Sequence, residues 1–104
     1  MKAFLFFLLG ASSLATAQDD VSRRIAEYEH CLKESAMMLD DKTSPALQVA
    51  RIVALECTSE WDGFLRTTAD RSPARRAKLM AEYPSQISLD MATKAVLMAR
   101  QSTK

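Results

Sequence analysis

The sequence predicts an all-α protein: a small antiparallel helical bundle of three long helices and one short one, with one disulfide, after an N-terminal signal peptide. Three observations predict it. Apolar residues recur at steps of three and four along most of the chain, and no stretch alternates as a half-buried strand would. Ser-Pro pairs at positions 44–45 and 72–73 are strong helix starts, and the chain has only two glycines to interrupt its helices. The two cysteines, Cys31 and Cys57, stand where a helical hairpin would bring them together.

Residues 1–17 read as a secretory signal peptide. Lys2 supplies the positive start, Ala3 to Leu9 the apolar run, and Ala15-Thr16-Ala17 the small-residue cleavage site. The apolar run is too short to span a bilayer, and nothing after it could cross a membrane. A Sec-type signal of this format points to the periplasm or to secretion, both oxidising compartments in which a disulfide persists. Residues 18–104 then form one helical domain. A chain of that size hides only about 60–65% of its unfolded surface, so its core is marginal and a covalent staple is a common remedy.

The first helix opens on Asp19 and Asp20, negative charges at its positive end. Val21, Ile25, Tyr28, Leu32, Ala36 and Leu39 form its inward stripe, with Cys31 at the edge. Arg23, Glu27, His30 and Glu34 form the solvated side, and the helix fades at Asp40-Asp41. The second helix starts with Ser44 as N-cap and Pro45 at its first position. Ala46, Ala50, Val53, Cys57, Trp61 and Phe64 share a face, and the phase carries through Gly63 to about Ala69. Val49, Ile52 and Leu55 lie off that face, so a third element should cover Val49 and Ile52. The short third helix starts at Ser72-Pro73, with Leu79, Met80 and Tyr83 inward and Arg75 and Lys78 outward. Tyr83-Pro84-Ser85 breaks it. The last helix covers about Gln86 to Arg100, with Ile87, Met91, Ala95 and Met98 as its stripe and Ala92, Val96 and Ala99 widening it.

Both arms of the first hairpin rise about 1.5 Å per residue, so a turn near residue 43 puts Cys31 within one turn of level with Cys57. The same register sets Leu39 against Leu47 and Ile25 against Trp61. The bond would close a 26-residue separation, for which chain-entropy reasoning gives about 3.5 kcal/mol.

His30 is the one histidine. With Glu27 and Glu34 it shares a helical face, but three ligands on an open, salt-bridged surface make a poor metal site. A single exposed histidine also argues against Ser-His-Asp or Cys-His catalysis. There is no Cys-x-x-Cys and no glycine-rich phosphate loop. Neither enzyme activity, nor a metal, nor a cofactor is therefore expected. Met37, Met38, Met80, Met91 and Met98 are spread rather than clustered and read as core filling.

Charge is unevenly placed. Residues 18–62 hold 5 basic and 10 acidic residues, and residues 63–104 hold 8 basic and 3 acidic. Arg66, Arg71, Arg75, Arg76 and Lys78 crowd 13 positions. They either brace the acidic half or meet an anionic protein partner; nucleic acid is not expected outside the cytoplasm. The format is similar to that of small periplasmic chaperones and inhibitor or immunity proteins, a likeness of size and class that transfers no residue. It implies an exported, non-enzymatic interaction module of inhibitor, immunity or accessory type. An acid- or stress-protective periplasmic chaperone is the alternative, and a small enzyme comes third. The exported protein is expected to begin at Gln18, and an intact mass that retains Met1 would refute the signal reading.

Overall fold

The computed structural model describes residues 2–68 and 72–102, with side chains from residue 19 onward. Five helices follow one another: α1 (Lys2–Leu39), α2 (Ala46–Glu56), α3 (Thr58–Thr68), α4 (Pro73–Ala81) and α5 (Gln86–Ser102). No strand occurs among the described residues. The backbone of α1 runs through the expected cleavage site, so Asp19 and Asp20 lie inside the helix of the full chain and do not open it. The side chains of the expected signal segment lie outside the described residues, as does Arg71.

α1 packs against α2, α3 and α5, and α2 also packs against α5. The contacts fix the directions. Cys31 of α1 meets Cys57 at the far end of α2, and Gly63 on α3 faces Arg24 on α1, so α2 and α3 run antiparallel to α1. Tyr28 meets Tyr83 just before α5, while Asp40 meets Arg100 near its end. α5 therefore returns parallel to α1. The core lies between α1, α2 and α5: Tyr28, Leu32 and Ala36 from the first, Val49, Ala50, Val53 and Ala54 from the second, and Ala92, Ala95 and Val96 from the last.

The Cys31 and Cys57 sulfurs are 2.12 Å apart and the Cα atoms 5.9 Å apart, the pairing expected from register. Cys57 is fully buried, and the Ser35 hydroxyl lies 3.5 Å from its sulfur.

Three expectations are corrected. The second long helix is two helices, broken at Cys57 (φ −105°, ψ 24°) and not at Gly63. The residues after the break explain its place: Thr58 and Ser59 carry hydroxyls that compete for backbone groups. The Thr58 hydroxyl donates to the Leu55 carbonyl at 2.6 Å, the Cys57 amide to Ala54 at 3.1 Å, and Trp61 N–H restarts the ladder on the Cys57 carbonyl. The Tyr83 hydroxyl also donates to the Ala54 carbonyl, so this carbonyl at the helix end accepts from a side chain as well as from the Cys57 amide. Burial pushes the Tyr83 phenol well above its usual pKa, reinforced by the Tyr28 hydroxyl 3.1 Å away, and keeps it protonated as a donor. Tyr28 and Tyr83 both pack on Trp61, at ring separations of 5.0 and 5.9 Å.

The second correction concerns the start of α2. Pro45 is its N-cap, not its first helical residue, and Ser44 does not cap it. The Pro45 carbonyl takes the Gln48 and Val49 amides, while the Ser44 hydroxyl is drawn to Asp41 at 2.5 Å.

The third concerns which faces are buried. α5 turns Ser88, Ala92, Ala95 and Val96 inward and leaves Ile87 68% and Met98 47% exposed. Small residues face the alanines of α2 and let the two helices approach closely, an arrangement the bulkier stripe would prevent. Val49 is covered, as expected, but Ile52 is 52% exposed because α4, the element free to cover it, packs on α3. Leu39 and Leu47 are also left exposed, and the methionines fill the core only in part: Met91 packs against it, while Met37 and Met38 are 68% and 82% exposed.

With so many small residues inside, the core offers modest apolar area, and the covalent link should carry a large share of stability. Replacing Cys31 and Cys57 together by Ala is expected to lower it by about 2–4 kcal/mol, and an unchanged melting temperature would remove the bond from the stability account.

Candidate interaction surface

The basic segment is carried by α3 and α4. Ser72 caps α4: its backbone is extended, its hydroxyl oxygen accepts the Arg75 amide at 3.3 Å, and Pro73 occupies the first turn. α4 buries none of its residues and among the described residues packs only against α3. Leu79 and Met80 are half-buried, and Ala74, Arg75, Ala77, Lys78 and Ala81 face solvent. The expected cations therefore separate. Arg66 and Arg76 both turn to Asp62, at 3.2 and 3.9 Å, and brace α3 internally and against α4. Arg75 and Lys78 are exposed.

On another side, α1 and the α2–α3 junction enclose a groove of about 470 Å³. Cys31 and Ser35 lie in it, Met38 and Leu39 form an apolar end, and Glu27, Glu34, Glu56 and Glu60 line it with His30. Arg23 and Arg24 approach Glu27 at 3.9 and 3.5 Å. His30 Nε2 is 3.1 Å from Glu34, with both side chains well exposed. Glu27, His30 and Glu34 share this face but do not converge. Among the described residues no three His, Cys, Asp or Glu side chains gather as metal ligands. A second groove of about 380 Å³ lies between α1 and α5, with Leu32, Met91, Ala95 and Met98 below Glu29, Lys33 and Lys94.

The α1–α2 loop forms a polar latch that the sequence does not announce. Asp40 Oδ1 accepts the Lys42 amide and Asp41 Oδ1 the Thr43 amide, two successive Asx turns. They hold Lys42 in the left-handed region at φ 66°. Arg100 reaches in from α5 and grips both Asp40 oxygens, at 2.9 and 2.8 Å, and donates to the Ser44 carbonyl at 2.6 Å. The Asp40 side chain is only 4% exposed. A fork-to-fork pair of this kind is geometrically specific as well as strong. Asp-Asp followed by Ser-Pro signals the turn, but nothing local names Arg100 as its partner.

The Arg100 guanidinium, and then the Lys42 amide, hold Asp40 below the usual carboxylate range. The Ser44 hydroxyl and the Ser44 and Thr43 amides bring Asp41 from 3.8 down to about 2. No protein-family model, curated protein or solved structure matches this chain.

Because both folded-state values lie below the unfolded ones, the latch contributes stability above about pH 4 and loses it as pH falls toward 2. The melting temperature should fall over that window, with apolar dye binding rising alongside. Asp40→Asn should melt lower than the parent at pH 7, with the difference shrinking as the Asp40 carboxylate protonates below the usual carboxylate range. A difference that does not change with pH would remove the carboxylate from the explanation.

Proposed function

We infer that the protein is a small exported, non-enzymatic helical-bundle module of inhibitor, immunity or accessory type, which contacts a protein partner through the basic helix α4. The observation that carries this reading is that α4 is well capped, yet fully buries none of its residues and among the described residues packs only on α3, while Arg75 and Lys78 face solvent. A helix that contributes so little to the core is available as a contact surface. Arginine's planar fork and the lysine ammonium both suit carboxylates. Export rests on the tripartite segment 1–17 and on a cysteine pair at bonding distance. No helix among the described residues is long and apolar enough to cross a membrane.

A second reading, an acid-protective chaperone, is supported by the latch. In acid Asp40 would release Arg100 and Asp41 would release the Ser44 and Thr43 groups it holds, and Met37, Met38, Ile52 and Leu55 already expose apolar area beside the α1–α2 seam. Dye binding that rises while the chain stays helical favours it.

The contact reading is tested by charge reversal. Arg75→Glu with Lys78→Glu should abolish capture of the partner and move the melting temperature by no more than about 4–8 °C, because a change at an exposed site is within about 0.5 kcal/mol and about 1 kcal/mol shifts a domain of this size by about 4–8 °C. Arg76→Glu, which faces Asp62, should lower the melting temperature instead. A retained partner in the first variant would rule out α4 as the contact.

A further inference from the structure

We propose that the partner of α4 is a second copy of this chain: two copies associate about a two-fold axis, each laying α4 in the acidic groove between α1 and the α2–α3 junction of the other. The proposal rests on the reading of α4 as a contact surface and adds the identity of what it contacts.

Charge complementarity carries it. The groove presents Glu34, Glu56 and Glu60 around an apolar end at Met38 and Leu39. The solvent face of α4 presents Arg75 and Lys78, one turn apart, between the small side chains Ala74, Ala77 and Ala81. Small residues let the helix lie close to the groove floor, and the two cations, about 60° apart around the helix, project together along one side of that small-residue strip. Lengths agree as well. From Glu27 to Met38 the groove follows α1 for about 16 Å, and nine-residue α4 is about 13 Å long, at roughly 1.5 Å per residue.

Within one copy the contact is not made. None of the groove's lining residues belongs to α4, and α4 is held on α3, with Arg76 beside Asp62. The groove carboxylates and the exposed α4 cations Arg75 and Lys78 are therefore both present in one copy without meeting, although Arg66, Arg76 and Arg100 do pair with the acidic half. Residues 18–104 are formally neutral, with 13 basic and 13 acidic residues, so no net repulsion opposes association. One nine-residue helix is a small contact. A two-fold arrangement makes the contact twice and closes at two copies, where a head-to-tail arrangement of the same surfaces would continue into a ring or filament.

The test is the mass of the oxidised protein by sedimentation at about 0.1 M and about 1 M salt, where screening lengths are about 10 and 3 Å. A dimer is expected at the lower salt, weakened about tenfold or more at the higher. Two variants separate this contact from any other. Glu34→Lys with Glu56→Lys makes the groove basic, and Arg75→Glu with Lys78→Glu makes α4 acidic. Each variant alone should be monomeric, since groove and helix then share a sign. An equal mixture should dimerise again, since each groove then meets a helix of opposite sign. A monomeric parent at the lower salt, a variant that dimerises alone, or a mixture that stays monomeric overturns the proposal. If the parent is monomeric and a different protein is captured in an Arg75- and Lys78-dependent way, the self-docking falls and the contact reading of α4 stands.

Discussion

Cys57 is buried where α2 gives way to α3, and its bond to Cys31 ties that junction to the middle of α1. Much else depends on this. At the break the Ala54 carbonyl takes the Cys57 amide and also accepts from the Tyr83 hydroxyl, and Tyr83 sets where the chain turns into α5. Trp61, one turn past the junction, is thereby placed between Tyr28 and Tyr83. A covalent tie at a helix break offsets the weakness that a break introduces. It also supports a core whose alanines bring helices close but remove little apolar area each from water.

The chain is latched at two heights. Near the junction the tie is covalent and aromatic; at the other end it is the grip of Arg100 on Asp40 and Ser44. Between them α5 contributes Ser88, Ala92, Ala95 and Val96. Helices that touch through small side chains could slide or rotate at little cost, so polar fixings at both ends set the rotation of α5. That rotation places Ile87 and Met98 outside.

The sequence made the helices, the hairpin register and the cysteine pairing legible, because periodicity and the constant rise of a helix are local rules. The stripe Tyr28, Leu32 and Ala36 and the face Ala50, Val53 and Cys57 were readable for that reason. α5 was legible only in part: periodicity sets Met91, Ala92, Ala95 and Val96 on its inward side, but both of its stripes are apolar and ranking by size also puts Ile87 and Met98 inward. The break at Cys57 left a weaker signal in Thr58 and Ser59, masked by the continuing phase of Trp61 and Phe64. In the candidate contact surface the density of cations was readable, but their division was not. Asp62 sits one turn before Arg66, yet Arg76 reaches the same carboxylate only because α4 folds back on α3.

The latch between Asp40 and Arg100 joins residues 60 positions apart. A chain made or threaded from its N-terminus can form α1 and the hairpin, and close its disulfide, well before residue 100 emerges. The α2 surface that α5 covers stays open during that interval, and Asp40 waits without its guanidinium. Completion of the fold is thus timed by the arrival of its last helix, a long-range contact of the kind that slows folding. Until then the chain is a covalently closed hairpin with an uncovered side, a form that a chaperone could recognise as unfinished.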